Sequence, residues 1–376
     1  MDSALRCHRD LTVIMALFSV SAMLVGSFTM FYYLSLGWPV YALPLFYGIQ
    51  MTSVIAGCLF LGLSRLGRMP SRSLVIMSML PLFLLYLTMG VAAPENLRLV
   101  SIATGVLAAA SQVLYWLPFN SFMLWLTRRT NRATVIGYYG LIWPVLAIFL
   151  PIVGGTVIVR MGMWTDVAIS SIVLVVLVIF LYIYAELPAI ETFDVRAWKA
   201  MRELAPRLRW GILLNGIIDG TAGVATPLLG FQFARTALDY SIYLSAFSVA
   251  GAVAVFILAY LSDRIQNRYV FLYLSAIFLF PTGIALALFY GPTGYLIAIS
   301  LNSFGLPLLG TLLMALMGDL SEKCIENCVL AREVLLNLGR LAGAMCILAI
   351  LAAGVGMSFV LLQITVVSVL VLLLRR

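Results

Sequence analysis

The sequence contains few charged residues for its length. Only 10% of its 376 residues are Asp, Glu, Lys or Arg, whereas 63% are hydrophobic, and the mean hydropathy is +1.09. Because a soluble domain carries about 25% charged residues, this composition excludes a soluble globular protein and indicates an integral membrane protein. The net charge of +8 comes from basic residues in loops between apolar runs, where it sets orientation in a bilayer, and we expect no nucleic-acid partner.

Residues that bind metals or perform catalysis are also scarce. The chain has one histidine, His8, and five scattered cysteines. Cys324 and Cys328 are spaced like ligands on one helix face, but no histidine lies near them in sequence. Gly-rich phosphate loops, Walker motifs and His-based nucleophile patterns are missing as well. We therefore expect no metal, no cofactor and no enzymatic activity. We expect that any process that needs energy is driven by a gradient across the membrane.

Long apolar runs fill most of the chain. A helix crosses about 30 Å of hydrocarbon with about 20 residues, and the runs have this length. The sequence therefore predicts an all-α membrane protein. The twelve predicted spans are 11–35, 40–62, 73–93, 98–126, 133–158, 165–186, 209–233, 240–261, 269–289, 293–317, 329–351 and 356–374.

The spans form an internal repeat. Each of the last six begins about 200 residues after its counterpart among the first six, which predicts two parallel six-helix bundles. The predicted domains are a first bundle at 1–186, a cytoplasmic linker at 187–208 and a second bundle at 209–376. Within the linker, Trp198 and its apolar neighbours predict a helix that lies on the inner membrane surface.

Basic residues mark one side of the predicted membrane. Of the 23 Lys and Arg residues, 18 fall in termini and loops on one side, against Arg98, Arg160 and Arg235 on the other. The basic side is expected to be cytoplasmic, with both termini there. We expect a monomer in the cytoplasmic (inner) membrane of a prokaryote.

Two short loops resemble a motif of the major facilitator superfamily, Gly-x-Leu-small-Asp-Arg-x-Gly-Arg. In "FLGLSRLGR", Arg65, Gly67 and Arg68 match, although a serine replaces the acidic residue. In "AYLSDRIQNR", Asp263 and Arg264 match. The resemblance implies the fold of twelve helices in two six-helix bundles, and a cytoplasmic gate in which these groups pair across the halves. Alternatively, the basic residues only set topology.

The fifth predicted span is similar to the motif of antiporters in that superfamily. In "GYYGLIWPVLAIFLPIVGG", Gly137, Pro151, Gly154 and Gly155 match, while two leucines replace the middle glycines. Small residues permit close helix packing and proline bends a span, so this stretch can prevent leakage. The alternative is packing alone, since Gly and Pro are common in membrane helices.

Two charges fall deep within predicted spans. Asp219 and Arg340 lie about ten and eleven residues into the seventh and eleventh spans, where a charge is costly unless it meets a partner or water. Glu333, Asn337 and Arg340 share one helical face. We expect Asp219 and Arg340 to pair, and we expect the carboxylates of Asp219 and Glu333 to carry proton coupling. The alternative is an ion pair that only fixes helix register.

Polar and aromatic residues suggest a substrate cavity. Gln112, Tyr115, Trp116 and Phe119 recur at helical spacing in the fourth span, an arrangement that suits sugars, amphiphiles or organic cations, although such rings also pack in cores. In the superfamily, the first, fourth, seventh and tenth helices line the cavity, with the eleventh beside them. The full set of candidates is Gln112, Tyr115, Trp116, Phe119, Asn120, Asn215, Asn302, Asn337 and Tyr32.

The expected function is secondary transport by alternating access, with proton-coupled export of a small organic or amphipathic solute. The expected partners are that solute, protons and the lipid bilayer. Proton-linked uptake of a polar metabolite and lipid or lysolipid flipping are the alternatives within transport. A membrane partner or sensor without flux is the alternative outside it.

Overall fold

The computed structural model describes residues 2–127, 131–185, 187, 201–202, 204–265, 268–320 and 325–372. Every regular element within these ranges is a helix, which confirms the predicted all-α class. Most of the linker at 187–208, including Trp198, lies outside the described residues. The division of the chain into three domains therefore stays a prediction.

The helices follow the order of the predicted spans, and each helix is referred to by the number of the span that it forms. Spans 1, 3 and 9 each consist of two helices with a short break. Among the described residues, eleven spans are long and apolar enough to cross a membrane, and span 12 belongs to a shorter apolar stretch, Met357–Leu372. The helices are Asp2–Gly26 and Thr29–Ser35 (span 1), Ala42–Leu63 (2), Ser71–Met77 and Met79–Gly90 (3), Leu97–Trp125 (4), Arg132–Met161 (5), Met163–Ile183 (6), Pro206–Phe233 (7), Ala237–Ile265 (8), Arg268–Leu279 and Pro281–Leu288 (9), Pro292–Leu320 (10), Ile325–Ala352 (11) and Leu362–Leu372 (12).

Two long contacts join spans 1–6, the first half, to spans 7–12, the second half. Span 5 packs along span 8, and span 11 packs along span 2. Lipid is as apolar as the side chains, so helices in a bilayer associate by close packing and polar contacts rather than by the hydrophobic effect.

We call the end of the molecule that bears Arg132 and Asp319 the inner end, and the end that bears Phe28 and Tyr240 the outer end.

Spans 7 and 11 touch through their backbones. Gly216 and Gly220 face Gly339 and Gly343, and a methyl group added at any of the four would overlap a carbonyl oxygen of the facing helix. Both pairs have the four-residue spacing that lets membrane helices approach closely. Because Asp219 and Arg340 are neighbours of these glycines in sequence, the crossing holds their side chains within reach of one another.

Gly220→Ala should lower the melting temperature of the purified protein. The new methyl group would meet Arg340 backbone atoms, and overpacking of this kind costs about 1–3 kcal/mol. Gly310→Ala in span 10 is the matched control, because its methyl group would meet only Asn215 Nδ2, at 3.8 Å. Equal melting temperatures for the two variants would show that the glycine crossing does not stabilise the fold.

Candidate functional site

Asp219 of span 7 and Arg340 of span 11 form an ion pair within the second half. Arg340 Nε and Nη2 each lie 2.6 Å from Asp219 Oδ2. The Arg340 and Asp219 side chains are 22% and 27% exposed, so neither is fully buried in the protein. Each charge therefore has the oppositely charged partner that a charged group within a membrane needs.

A polar stripe continues from Arg340 toward the inner end of span 11. Asn337 Oδ1 accepts a hydrogen bond from Arg340 Nη1 at 3.1 Å, and Asn337 Nδ2 donates to the Glu333 carbonyl at 2.7 Å. Glu333 Oε1 accepts hydrogen bonds from Arg332 and, at 3.2 Å, from Asn120 Nδ2 of span 4. Because Asn120 belongs to the first half, the stripe connects the ion pair to the opposite half.

The stripe faces a cavity of about 370 Å³, the inner cavity. Its walls combine amides, charged groups and two indole rings. Of the predicted cavity residues, Gln112, Trp116, Asn120 and Asn337 lie in this wall, and Glu333 and Arg340 lie there too. Trp143 of span 5 also lines it, although we did not predict this residue.

A second cavity of about 510 Å³, the outer cavity, lies toward the other end and is also lined by Gln112, Trp116 and Trp143. Tyr47 of span 2 is part of its wall, and the Tyr47 hydroxyl oxygen would lie 2.8 Å from a methyl group added at Gly223. Tyr47 also interacts electrostatically with the ion pair. Sequence reasoning missed it, because a single tyrosine in an apolar helix gives no signal of its partner.

Tyr115 and Phe119 do not line either cavity. Both rings are buried in the first half, where Tyr115 stacks on Phe18 with centroids 3.6 Å apart and on Phe119 with centroids 5.4 Å apart. This corrects their placement in the cavity wall. The helical spacing places these residues on one broad face of span 4. Gln112 and Trp116 lie on the side of that face toward the cavities, whereas Tyr115 and Phe119 lie on the side toward the core.

Three other candidates also lie away from the two cavities. Asn215 and Asn302 are buried, and the side-chain oxygen of each has no hydrogen-bond partner. Tyr32 is half-buried and packs against the hydrophobic core. Neither cavity includes these side chains in its wall.

An ion pair joins the two halves at the inner end. Arg132 Nη1 at the start of span 5 lies 2.7 Å from Asp319 Oδ1 near the end of span 10, and the side chains are 3% and 11% exposed. Arg132 Nε also donates to Thr127 Oγ1 at 3.1 Å. A methyl group at Gly318 would lie 2.8 Å from Arg132 Cδ, so the glycine makes room for the arginine.

The predicted gating motif is only partly described. Arg65, Gly67 and Arg68 belong to a 3₁₀ turn after span 2, in which Gly67 is buried and Arg68 is exposed. Arg264 lies over the ring of Tyr260 in its own helix, 4.3 Å from the centroid. The side chains of Arg65 and Asp263 lie outside the described residues. A gating role for these motif residues stays a prediction.

Aromatic rings join the two halves at the outer end. Phe31 of span 1 stacks on Tyr240 of span 8 with centroids 4.8 Å apart, and it meets Phe231 of span 7 edge-on at 5.6 Å. Phe28 meets Tyr240 edge-on at 6.3 Å. Together with the ion pair at the inner end, these contacts join the two halves near both ends of the molecule.

The antiporter-like motif lies along span 5. Gly137, Pro151, Gly154 and Gly155 are all buried. A methyl group at Gly155 would lie 2.9 Å from the Ala237 carbonyl oxygen, so this glycine permits the outer crossing of spans 5 and 8. Gly154 instead faces span 1.

Comparison with known proteins gives a consistent result. Residues 67–324 match the family model described as Major Facilitator Superfamily. The chain is similar to the human organic anion transporter MFSD10 (TETRAN), with a TM-score of 0.71 and 12% identity over 99% of both chains. It is also similar to the E. coli fucose:proton symporter FucP, with a TM-score of 0.71 and 13% identity over 98% of this chain and 97% of FucP. No curated protein matches by sequence. At such low identity the solved structures establish the fold alone.

Proposed function

This chain belongs to the Major Facilitator Superfamily of transporters, and from that premise we propose that it exports a small organic or amphipathic solute in exchange for protons. The solute would bind between the two halves, which rock to open one end at a time. The observation that carries the proposal is the partly exposed ion pair of Asp219 and Arg340 beside both cavities.

The position of the ion pair supports a coupling role. Arg340 lines the inner cavity, and Ala222, one turn after Asp219, lines the outer cavity. When Asp219 is ionised, its carboxylate could accept a hydrogen bond from a polar group of the solute, and a proton on Asp219 would remove the charge and weaken that bond. Proton uptake by Asp219 would therefore favour release of the solute, and loss of the proton would favour its binding. In this way a proton and a solute would compete for the same site.

The cavity walls support a weakly charged solute with an apolar face. Trp116 and Trp143 present flat rings to both cavities, and Gln112 adds an amide. The charges in the inner wall are compensated, because Arg332 pairs with Glu333 and Arg340 pairs with Asp219. A site of this type orients its ligand with a few polar groups and gains affinity from apolar contact.

The direction of transport rests on the antiporter-like motif and is open to direct test. Reconstituted protein is energised with a pH gradient, and the solute is chosen as the compound that most raises the melting temperature of the purified protein. Export predicts that the solute leaves the compartment into which protons move. Accumulation of the solute on the same side as the protons would instead establish proton-linked uptake.

Trp116→Ala should reduce solute binding with little effect on folding. Removing a ring from the shared wall of both cavities should weaken binding about tenfold, which corresponds to about 1.4 kcal/mol. The measurement is the solute concentration that gives half of the maximal thermal shift. Trp125→Ala in the same helix is the control, because the Trp125 side chain is exposed and outside both cavities. Equal losses in the two variants would remove Trp116 from the solute site.

A further inference from the structure

Asp166 is a buried acid with no partner. It lies in the first turn of span 6, near the outer end of the first half, and is 0% exposed. Neither of its side-chain oxygens has a hydrogen-bond partner. An unpaired charge in such a site is strongly unfavourable, and the group takes up a proton instead. Neither the ion pair of Asp219 nor the two cavities use this acid.

A hydrogen-bond acceptor lies close to Asp166 at the break in span 1. The N–H groups of Ser27 and Phe28 bond to Met23 O and Val25 O, so the backbone turn passes over the carbonyl oxygen of Leu24. That oxygen and the Asp166 carboxyl group flank the same small space next to Gly154. A methyl group at Gly154 would lie 3.2 Å from Leu24 O and 3.6 Å from Asp166 Oδ1.

The groups around Asp166 include no neighbouring cation. Span 3 contributes the Tyr86 hydroxyl, which interacts electrostatically with Asp166 and hydrogen-bonds Ser21 Oγ of span 1 at 2.9 Å. Span 5 contributes Gly154, and its terminal Arg160 is exposed. Among the described residues, no Lys, Arg or His forms an ion pair with Asp166.

We propose that Asp166 is a proton-binding site of the first half, and that its protonated carboxyl group donates a hydrogen bond to Leu24 O across the break in span 1. The proton comes from the outer aqueous phase through the outer cavity, whose wall includes Tyr86 and Ser27. The site holds one proton on one carboxyl oxygen. It is separate from Asp219, and the inference does not depend on the coupling role proposed for that residue.

Because the break in span 1 lies beside the aromatic contacts of the outer end, protonation of Asp166 affects those contacts. Phe28 lies within it and Phe31 one turn beyond, and both rings meet Tyr240 of the second half. A hydrogen bond from Asp166 to Leu24 O fixes the start of this segment against spans 5 and 6. Protonation therefore stabilises the aromatic closure of the outer end, and loss of the proton favours opening there.

The first test detects the proton directly. The infrared spectrum of the wild-type protein at neutral pH should contain the C=O stretching band of a protonated carboxylic acid, and Asp166→Asn should lose the intensity of one such group. Asparagine is a neutral isostere, so the variant should fold with wild-type stability. Retention of the full band, or failure of Asp166→Asn to fold, would overturn the proposal.

The second test measures the distance between the two halves at the outer end as a function of pH. Spin labels replace the exposed Arg98 and Arg235, one in each half, in a background without reactive cysteines. The wild-type distance should lengthen as pH rises. It should stay short at every pH in Asp166→Asn, whose amide can donate to Leu24 O, and long in Asp166→Ala, which has no donor. Glu95→Gln, a change at an exposed outer acid, should follow the wild type.

Two results of the distance measurement would contradict the proposal. If all variants share the wild-type pH profile, then Asp166 has no role in closure. If the distance responds to Na⁺ at fixed pH and not to pH, then the site binds a metal cation rather than a proton.

Discussion

Asp219→Asn is expected to reduce proton-coupled transport to the level of empty liposomes, while folding and membrane insertion remain intact. Asparagine has the shape of aspartate but cannot take up a proton, so the exchange of a proton for the solute is lost. The measurement is the solute-dependent change of a pH-sensitive dye inside proteoliposomes. A variant with the wild-type rate and pH profile would exclude Asp219 from the mechanism.

A double variant separates coupling from a purely structural ion pair. Asp219→Asn with Arg340→Gln removes both charges, so a loss of transport cannot be attributed to an unpaired Arg340 in the membrane. If the pair only fixes the positions of spans 7 and 11, this double variant should transport like the wild type. If the pair couples protons to solute, transport should stay uncoupled in spite of normal stability.

Asp319→Asn should open the inner end. Arg132 is 3% exposed and would lose its charged partner in the opposite half, so closure should weaken by at least about 1.4 kcal/mol, or about tenfold. Cys58 provides a natural reporter, because it lines the inner cavity and is buried. Its alkylation by a polar thiol reagent, followed by mass spectrometry, should become about ten times faster. Cys328, which is buried and outside that cavity, should react at an unchanged rate.

A double-mutant cycle shows whether the two charges act together. Arg132→Gln alone should also accelerate Cys58 alkylation, and the double variant with Asp319→Asn should be no faster than the quicker single variant. Additive effects in the cycle would mean that each residue acts through other contacts and that their ion pair does not close the inner end.

The sequence was sufficient to predict the spans and the proximity of Asp219 and Arg340. Run length defines a span, and equal depth in two helices of one bundle brings two isolated charges to the same level of the membrane. The glycine crossing was also visible in principle, since Gly216 and Gly220, like Gly339 and Gly343, have the spacing of closely packed membrane helices.

Other features depend on how the halves meet, which no local pattern specifies. The ion pair of Arg132 and Asp319 joins residues 187 positions apart, and in sequence Arg132 resembles any other charge that sets topology. Likewise, Tyr115 and Trp116 are adjacent in sequence, but one packs in the core and the other lines both cavities. Only the fold determines which side of a helix faces water.

The glycine crossing also limits how the protein can move. At the glycines, spans 7 and 11 meet backbone to backbone, so no flexible side chains lie between them at this crossing to absorb sliding or twisting. If the halves change orientation as proposed, we expect the two helices to move together and the bond between Asp219 and Arg340 to be kept. The proposed movement would instead occur where contacts are made by side-chain ends, as between Asn120 and Glu333, and we expect that hydrogen bond to break and re-form as the halves move.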